Sequence, residues 1–168
     1  MDRMDSPMTA APSRQPADAR RIAIALGIAA IVVLIDQVTK ALVRDALPEG
    51  TAWPSLDAWL AISHVENSGA AFGMLQGAQA FLLVVTVLGV AGVFIYLWRF
   101  PPSQPLYFTA LSLILGGAIG NLIDRAAKGT VTDFIDPAYY PAFNIADSTI
   151  VCGVATILVL SFLEERRQ

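Results

Sequence analysis

Apolar residues in this chain gather into long runs, not the stripes and alternations of a soluble domain. The clearest runs from Ala78 to Trp98, 21 residues without a charge, which as a helix is about 32 Å long and matches a hydrocarbon core of about 30 Å. Ile22 to Val43 is apolar up to Ile35 and then carries Asp36, Gln37, Thr39 and Lys40, Leu106 to Ile123 is uncharged, and Pro141 to Leu163 is uncharged except for Asp147. The pattern predicts four spans, at 22–43, 78–98, 106–123 and 141–163.

Residues 1–19 hold Pro7, Pro12 and Pro16 among Ser, Ala, Asp and Arg, too little apolar surface to repay the entropy of ordering, and read as a disordered tail. Arg20 and Arg21 before an apolar run resemble the start of a cleavable signal peptide. No small-residue cleavage site follows, and the run continues into Asp36 and Lys40, so an uncleaved first span is expected. Arg14, Arg20 and Arg21 precede that span, Arg99 lies in the short turn through Pro101 and Pro102, and Arg166 and Arg167 end the chain. Basic residues at those ends place both termini in the cytoplasm and leave segments 44–77 and 124–140 outside. In the first of these, Pro48, Gly50 and Pro54 mark turns, residues 60–65 alternate as a short strand, and Trp53 and Trp59 suit the membrane interface, which together predict a small sheet-like cap.

Composition agrees: of 168 residues 55% are hydrophobic and 15% charged, which marks a membrane protein. The eleven basic residues form no stripe with interleaved aromatics and the net charge is −3, so no nucleic-acid partner is expected. Cys152, the only cysteine, can make no internal disulfide and belongs to no metal cluster. It reads as a small packed residue. HExxH and GxSxG do not occur, and the single His64 has no second ligand-type neighbour, which argues against zinc and serine-triad hydrolysis.

Ionisable groups inside a membrane are costly, so Asp36, Lys40, Asp124, Arg125 and Asp147 each ask for a partner or a function. Asp36 and Lys40 are four apart on one predicted helix, in the order that lets carboxylate and ammonium meet, and are expected as a structural or site-supporting ion pair. Gly117, Asn121 and Arg125 recur every fourth residue, with Asp124 alongside, on one face of the third span. Gly116 and Gly120 form a small-xxx-small packing seam, while Gly117 would let a substrate or loop come close. Asp133 lies in an extended stretch after the Lys128–Gly129 turn, and Asp147 would sit about 9 Å down a helix opening at Pro141. The short connection between Gly129 and Pro141 lets these two carboxylates converge near the outer surface. Such a pair shares a proton, so that one takes a proton from water while the other donates to a carbonyl oxygen. Taken singly, Asp133 also reads as a solvated loop acid and Asp147 as a helix-terminus residue or an ion-pair partner of Arg125.

Five ordered segments resemble the lipoprotein signal peptidase (signal peptidase II) family: Asp36-Gln37-Val38-Thr39-Lys40, Asn67-Ser68-Gly69-Ala70-Ala71-Phe72, the stretch from Gly116 to Arg125, Val131-Thr132-Asp133-Phe134-Ile135 and Phe143-Asn144-Ile145-Ala146-Asp147-Ser148. The resemblance implies a metal-independent aspartic endopeptidase with no cofactor, Asp133 and Asp147 being its catalytic dyad. The substrate would be a prolipoprotein whose lipobox cysteine already carries a diacylglyceryl group, cut on the amino side of that cysteine. Asn67, Gly69, Asn121, Arg125 and Asn144 would position the substrate or the dyad, with Asp36, Lys40, Gly117 and Asp124 supporting the site. The antibiotic globomycin, an inhibitor of the family, would bind against the dyad. The expected architecture is mainly α: a four-transmembrane-helix bundle with a small extracytoplasmic β-type cap and a short periplasmic helix, residues 20–168 forming one domain. We expect a monomer among membrane lipids of the bacterial inner membrane, its active site at the periplasmic face.

Other classes fit less well. A small transporter or proton channel would place polar residues at several depths, and a structural subunit pairing its charges with another chain gives no reason for two carboxylates to converge. A Ser68–Lys40 pair with the lysine as base is a further arrangement, set behind the dyad because Asp36 keeps Lys40 charged.

Overall fold

A computed structural model describes residues 19–69 and 79–166. The expected tail falls on residues 1–18 and lies outside the described residues, as do Ala70, Ala71 and Phe72. Ala19, assigned to that tail, already belongs to the first helix.

Four helices are long and apolar enough to cross a membrane: α1 (Ala19–Ala46), α2 (Gln79–Arg99), α3 (Pro105–Lys128) and α4 (Ile145–Glu165). Each satisfies its own backbone hydrogen bonds, which hydrocarbon demands. Their outward surfaces stay apolar, with Leu34, Leu42, Leu88 and Leu158 all more than 60% exposed. The short periplasmic helix expected beside the cap is not among the described residues.

α3 is the centre of the bundle, packed on α1, α2 and α4. Small residues permit this. A Cβ on Gly116 would stand 2.9 Å from the Ala29 carbonyl oxygen of α1, and one on Gly153 of α4 would stand 2.7 Å from the Ala110 carbonyl oxygen of α3. Helices this close gain dispersion contacts, the main drive to association where lipid is as apolar as leucine. The buried stripe of α1, Ala25, Ala29, Val32, Asp36, Lys40 and Val43, holds one face at steps of three and four and turns from apolar to charged toward one end. At the opposite end Arg21 donates to the Pro102 carbonyl at 3.1 Å and lies over the Phe108 ring, closing the turn between α2 and α3.

Two helix ends differ from the lengths of the apolar runs. α3 does not stop at Ile123 but continues through Asp124 and Arg125 to Lys128, ending where Gly129 adopts φ 79° and returns its N–H to the Arg125 carbonyl. Asp124 and Arg125 therefore continue the third helix, as their spacing with Gly117 and Asn121 predicts. α4 opens at Ile145, not at Pro141, because Phe143 is extended and paired with Ile135, and Asn144 is the cap. Asp147 is accordingly in the first turn of α4, at its third residue, and not six residues down a helix.

The cap is a three-stranded antiparallel sheet in the order β1 (Ala52–Trp53), β2 (Leu60–Asn67), β3 (Val131–Pro137). β2 and β3 pair in two registers: Leu60 to Ile62 face Pro137 to Ile135, and Val65 to Asn67 face Asp133 to Val131, with one extra residue of β2 at Ser63–His64. Beyond β3, the Phe143 amide donates to the Ile135 carbonyl at 3.0 Å and its own carbonyl accepts from Ile135 at 2.8 Å, which delivers the start of α4 to the edge of the sheet. Cys152 is unpaired and exposed on α4, not packed. A lipid-facing position accepts a small apolar thiol as readily as a core does.

Candidate active site

Asp133 and Asp147 reach the same place from different elements, and Asn144 joins them. Its side-chain Nδ2 donates to Asp133 Oδ1 at 2.6 Å, and its backbone N–H donates to Asp147 Oδ2 at 3.3 Å. Asn144 Oδ1 accepts the Asp147 backbone N–H at 2.9 Å. This reciprocal pair is a capping box, which satisfies orphan donors of the first turn and fixes the Asp147 side chain. Asn67, at the end of β2, donates to Asp133 Oδ2 at 2.8 Å. Asn121, on α3, donates to Asp147 Oδ1 at 2.7 Å.

Burial pushes the Asp133 carboxyl up to about 6; the Asn67 hydrogen bond pulls it down, the neighbouring Asp147 charge pushes it up, and Asn144 and Lys40 pull it down. Desolvation and a like charge both favour the protonated form, the condition under which two carboxyls share one proton.

Beneath the pair lies a buried ion cluster. Lys40 Nζ is 2.8 Å from Asp36 Oδ2 and 3.1 Å from Asp124 Oδ2, and all three residues are within 2% of full burial. Lys40 also donates to Asn121 Oδ1 at 2.9 Å, so its three donors are used and none of these bonds goes to Ser68. Asp36 turns its other oxygen to the Ala146 N–H at 2.9 Å, at the positive end of α4. Asp124 accepts from the Thr132 N–H at 3.2 Å. The expected Asp36–Lys40 pair is thus a triad with Asp124, and it ties α1, α3, β3 and α4 to one cation.

Gly117 and Gly69 do different work. The neighbour that comes close to Gly117 is α4 and not a loop: a Cβ there would collide with the Ala146 carbonyl oxygen and stand 2.5 Å from Thr149 Oγ1. Gly69 has φ 79°, a conformation glycine adopts without a Cβ penalty, and donates its N–H to Asn67 Oδ1 at 2.8 Å. Arg125 is half-buried, with no side-chain hydrogen bond or ion pair to any described residue, Asp147 included.

Four residues of the network have no role assigned from the sequence, although Gln37 and Thr132 stand in the segments that resemble the family. Gln37 bridges Asp36 Oδ2, the Gly120 carbonyl and Asp124. Arg44 donates to Thr132 Oγ1 at 3.0 Å, and Thr132 and Glu66 meet across the strands at 2.8 Å. Lys40 and Arg44 are one helical step apart, which would have found Arg44; Gln37 depends on the approach of α1 to α3, and Thr132 and Glu66 on strand register. Among the described residues no group of three His, Cys, Asp or Glu side chains converges as metal ligands.

A groove of about 380 Å³ runs beside Asp147, lined by Tyr140, Phe143, Asp147, Ser148, Val151 and Cys152. It lies along the exposed flank of α4, where Val151 is 65% exposed. Larger hollows of about 520 and 510 Å³ are lined by no carboxylate. The chemistry therefore belongs to the smaller one.

A bundle of four spans with a carboxylate site at one end, beside a groove along α4, defines a multi-span membrane enzyme. The family profile described as Signal peptidase (SPase) II matches residues 28–163. The lipoprotein signal peptidase of Caldanaerobacter subterraneus subsp. tengcongensis is 46% identical over 141 residues, covering 83% of this chain and 94% of its own, and that of Syntrophomonas wolfei is 39% identical over 138 residues, covering 82% and 92%. A solved structure of a bacterial membrane enzyme superposes with a TM-score of 0.79 at 30% identity, covering 92% of this chain and 95% of that one. This chain belongs to the signal peptidase II family and is a membrane peptidase.

Proposed function

We propose that this peptidase is of the aspartic type, with Asp133 and Asp147 as its dyad, and that it removes the signal peptide from diacylglyceryl-modified prolipoproteins on the amino side of the lipid-bearing cysteine. The observation that carries the reading is the hold of Asn144 on both carboxylates. The two carboxyls share one proton in the ground state, and burial favours it on Asp133. Water in the groove attacks the scissile carbonyl carbon, giving a proton to Asp147 while Asp133 protonates the carbonyl oxygen. As the C–N bond breaks, Asp147 passes its proton to the leaving amine and Asp133 recovers one from the hydroxyl of the intermediate. No metal or covalent intermediate is needed.

Asn67, Asn144 and Asn121 fix the carboxylates, so little reorganisation remains for the reaction itself. Gly69 holds Asn67 in place, while the triad of Asp36, Lys40 and Asp124 and the close packing at Gly117 support the helices. The Arg125 guanidinium, without a partner among the described residues, serves the substrate. A lipid anchor on the cysteine keeps the bond at the interface, and the groove along α4 receives it, replacing part of the binding a water-soluble peptidase needs. The protein acts as a monomer in the inner membrane with both termini cytoplasmic and the site at the periplasmic face, and globomycin binds against the dyad.

Asp133→Asn and Asp147→Asn should each abolish cleavage of a diacylglyceryl-modified prolipoprotein while the protein still inserts and folds. Retained cleavage in either variant overturns the dyad.

A further inference from the structure

We propose that Glu66 and Thr132 form a cross-strand clamp that positions Asp133 from the opposite face of the cap sheet. The inference rests on the dyad reading and adds two positioning residues to it.

The extra residue at Ser63–His64 divides the ladder between β2 and β3. Such a bulge reverses which face each following side chain occupies. If the register of Leu60 to Ile62 continued unbroken, Asn67 would fall on the face away from Asp133. In the shifted register Asn67 is opposite Val131, on the face of Asp133, and its 2.8 Å bond to Asp133 Oδ2 is made. The correct placement of the dyad thus depends on three residue pairs beyond a bulge, at the very end of β2.

Those three pairs are fastened from behind. Glu66 is opposite Thr132, and Thr132 Oγ1 donates to Glu66 Oε1 at 2.8 Å. Every element packed around Glu66 contributes: His64 Nε2 at 3.2 Å from the bulge, Lys128 Nζ at 3.2 Å from the end of α3, and Thr130 Oγ1 at 2.5 Å from the loop before β3. The His64 ring is fixed at its other nitrogen, where Nδ1 donates to the Leu47 carbonyl at 2.8 Å. Thr132 is fully buried and passes the restraint onward, its hydroxyl accepting from Arg44 at 3.0 Å and Lys128 at 2.7 Å, its N–H donating to Asp124. Although burial opposes its charge, the hydrogen bonds from Thr130, Thr132 and Lys128, joined by His64 when its ring carries both protons, hold Glu66 at about 2, so Glu66 stays charged at any working pH. Each clamp residue is the immediate neighbour of a dyad-side residue: Glu66 precedes Asn67, and Thr132 precedes Asp133. A slip on one face is a displaced carboxylate on the other.

The test is the pH profile of cleavage of a synthetic diacylglyceryl-cysteine prolipopeptide by the full chain in detergent, with melting followed in parallel. Glu66→Gln and Thr132→Val should lower kcat by about tenfold or more with KM within about twofold, the pattern of lost transition-state positioning. They should also move the alkaline limb upward, because a loosened Asn67 bond no longer favours the Asp133 carboxylate and the acid keeps its proton to higher pH. Thr132→Ser, which keeps the hydroxyl, should restore the native profile. Activity that falls only with the folded fraction, with the pH profile unmoved, overturns the clamp, as does full activity in both variants. Asp133→Asn in the same assay separates the two readings: cleavage by that variant removes the dyad itself, whereas an inactive Asp133→Asn beside an unaltered Glu66→Gln removes the clamp alone.

Discussion

Asn144 and Asp147 cap each other. The Asn144 carboxamide oxygen takes the Asp147 N–H at 2.9 Å, and the Asp147 carboxylate takes the Asn144 N–H at 3.3 Å. One residue thereby starts a membrane helix and, with its remaining amide donors, aims the other carboxylate of the site. These two duties are separable by mutation.

Asn144→Ser keeps an N-cap acceptor but loses Nδ2 toward Asp133 and Asn121. It should melt near the parent while kcat falls about 10- to 100-fold. Asn144→Ala should lose the cap as well, for a further cost of about 1 kcal/mol or somewhat more. Thermal melts beside single-turnover cleavage distinguish the two effects.

Lys40→Ala leaves Asp36 and Asp124 buried without their shared cation. Breaking one partner of such a cluster costs about 3–5 kcal/mol, so melting in detergent should fall sharply. An unchanged melting temperature with lost turnover would instead give Lys40 a direct part in the chemistry.

Gly117→Ala should cost about 1–3 kcal/mol and reduce turnover, because the added methyl pushes α4, and Asp147 with it, off α3. Gly89→Ala is the control. A Cβ there meets nothing within 4 Å, and replacing a helical glycine should be neutral or favourable by up to about 1 kcal/mol.

Stability should respond to pH in opposite senses at two carboxyls. Asp133 is raised from 3.8 to about 6, so its burial costs stability above pH 6. That cost is relieved as pH falls through 6 to 3.8, where the folded chain binds a proton that the unfolded chain does not. Glu66 is lowered from 4.5 to about 2, so the stability it contributes is present above pH 4.5 and lost as pH falls toward 2. Melting temperature against pH should lose its upper slope in Asp133→Asn and its lower slope in Glu66→Gln.

The spans were legible because hydrocarbon imposes a length, and a 21-residue uncharged run can scarcely be anything else. Their ends were less so. Helix hydrogen bonding continues through Asp124 and Arg125 until a residue able to adopt positive φ stops it, and hydropathy does not report that. Pro141 has the fixed φ of a first helical residue, yet the Phe143–Ile135 pairing claims the next stretch for the sheet and hands the start to Asn144. The polar members of the site were visible as costly residues in apolar surroundings. Asp36 and Lys40 were also legible as a pair, since four residues on a helix is a contact. The third member, Asp124, and the roles of Glu66 and Thr132 depend on tertiary approach and on strand register. Glu66 and Thr132 read as ordinary polar residues until the bulge at Ser63–His64 is known.

Among the described residues Leu97 is the only buried side chain along α2. A helix with so little of its surface committed to neighbours answers mainly to bilayer thickness. Its sequence is therefore the part of the bundle most open to redesign: a thicker or thinner membrane is best accommodated there, and labels, linkers or crosslinkers for observing the protein at work are best attached there, leaving the carboxylates undisturbed.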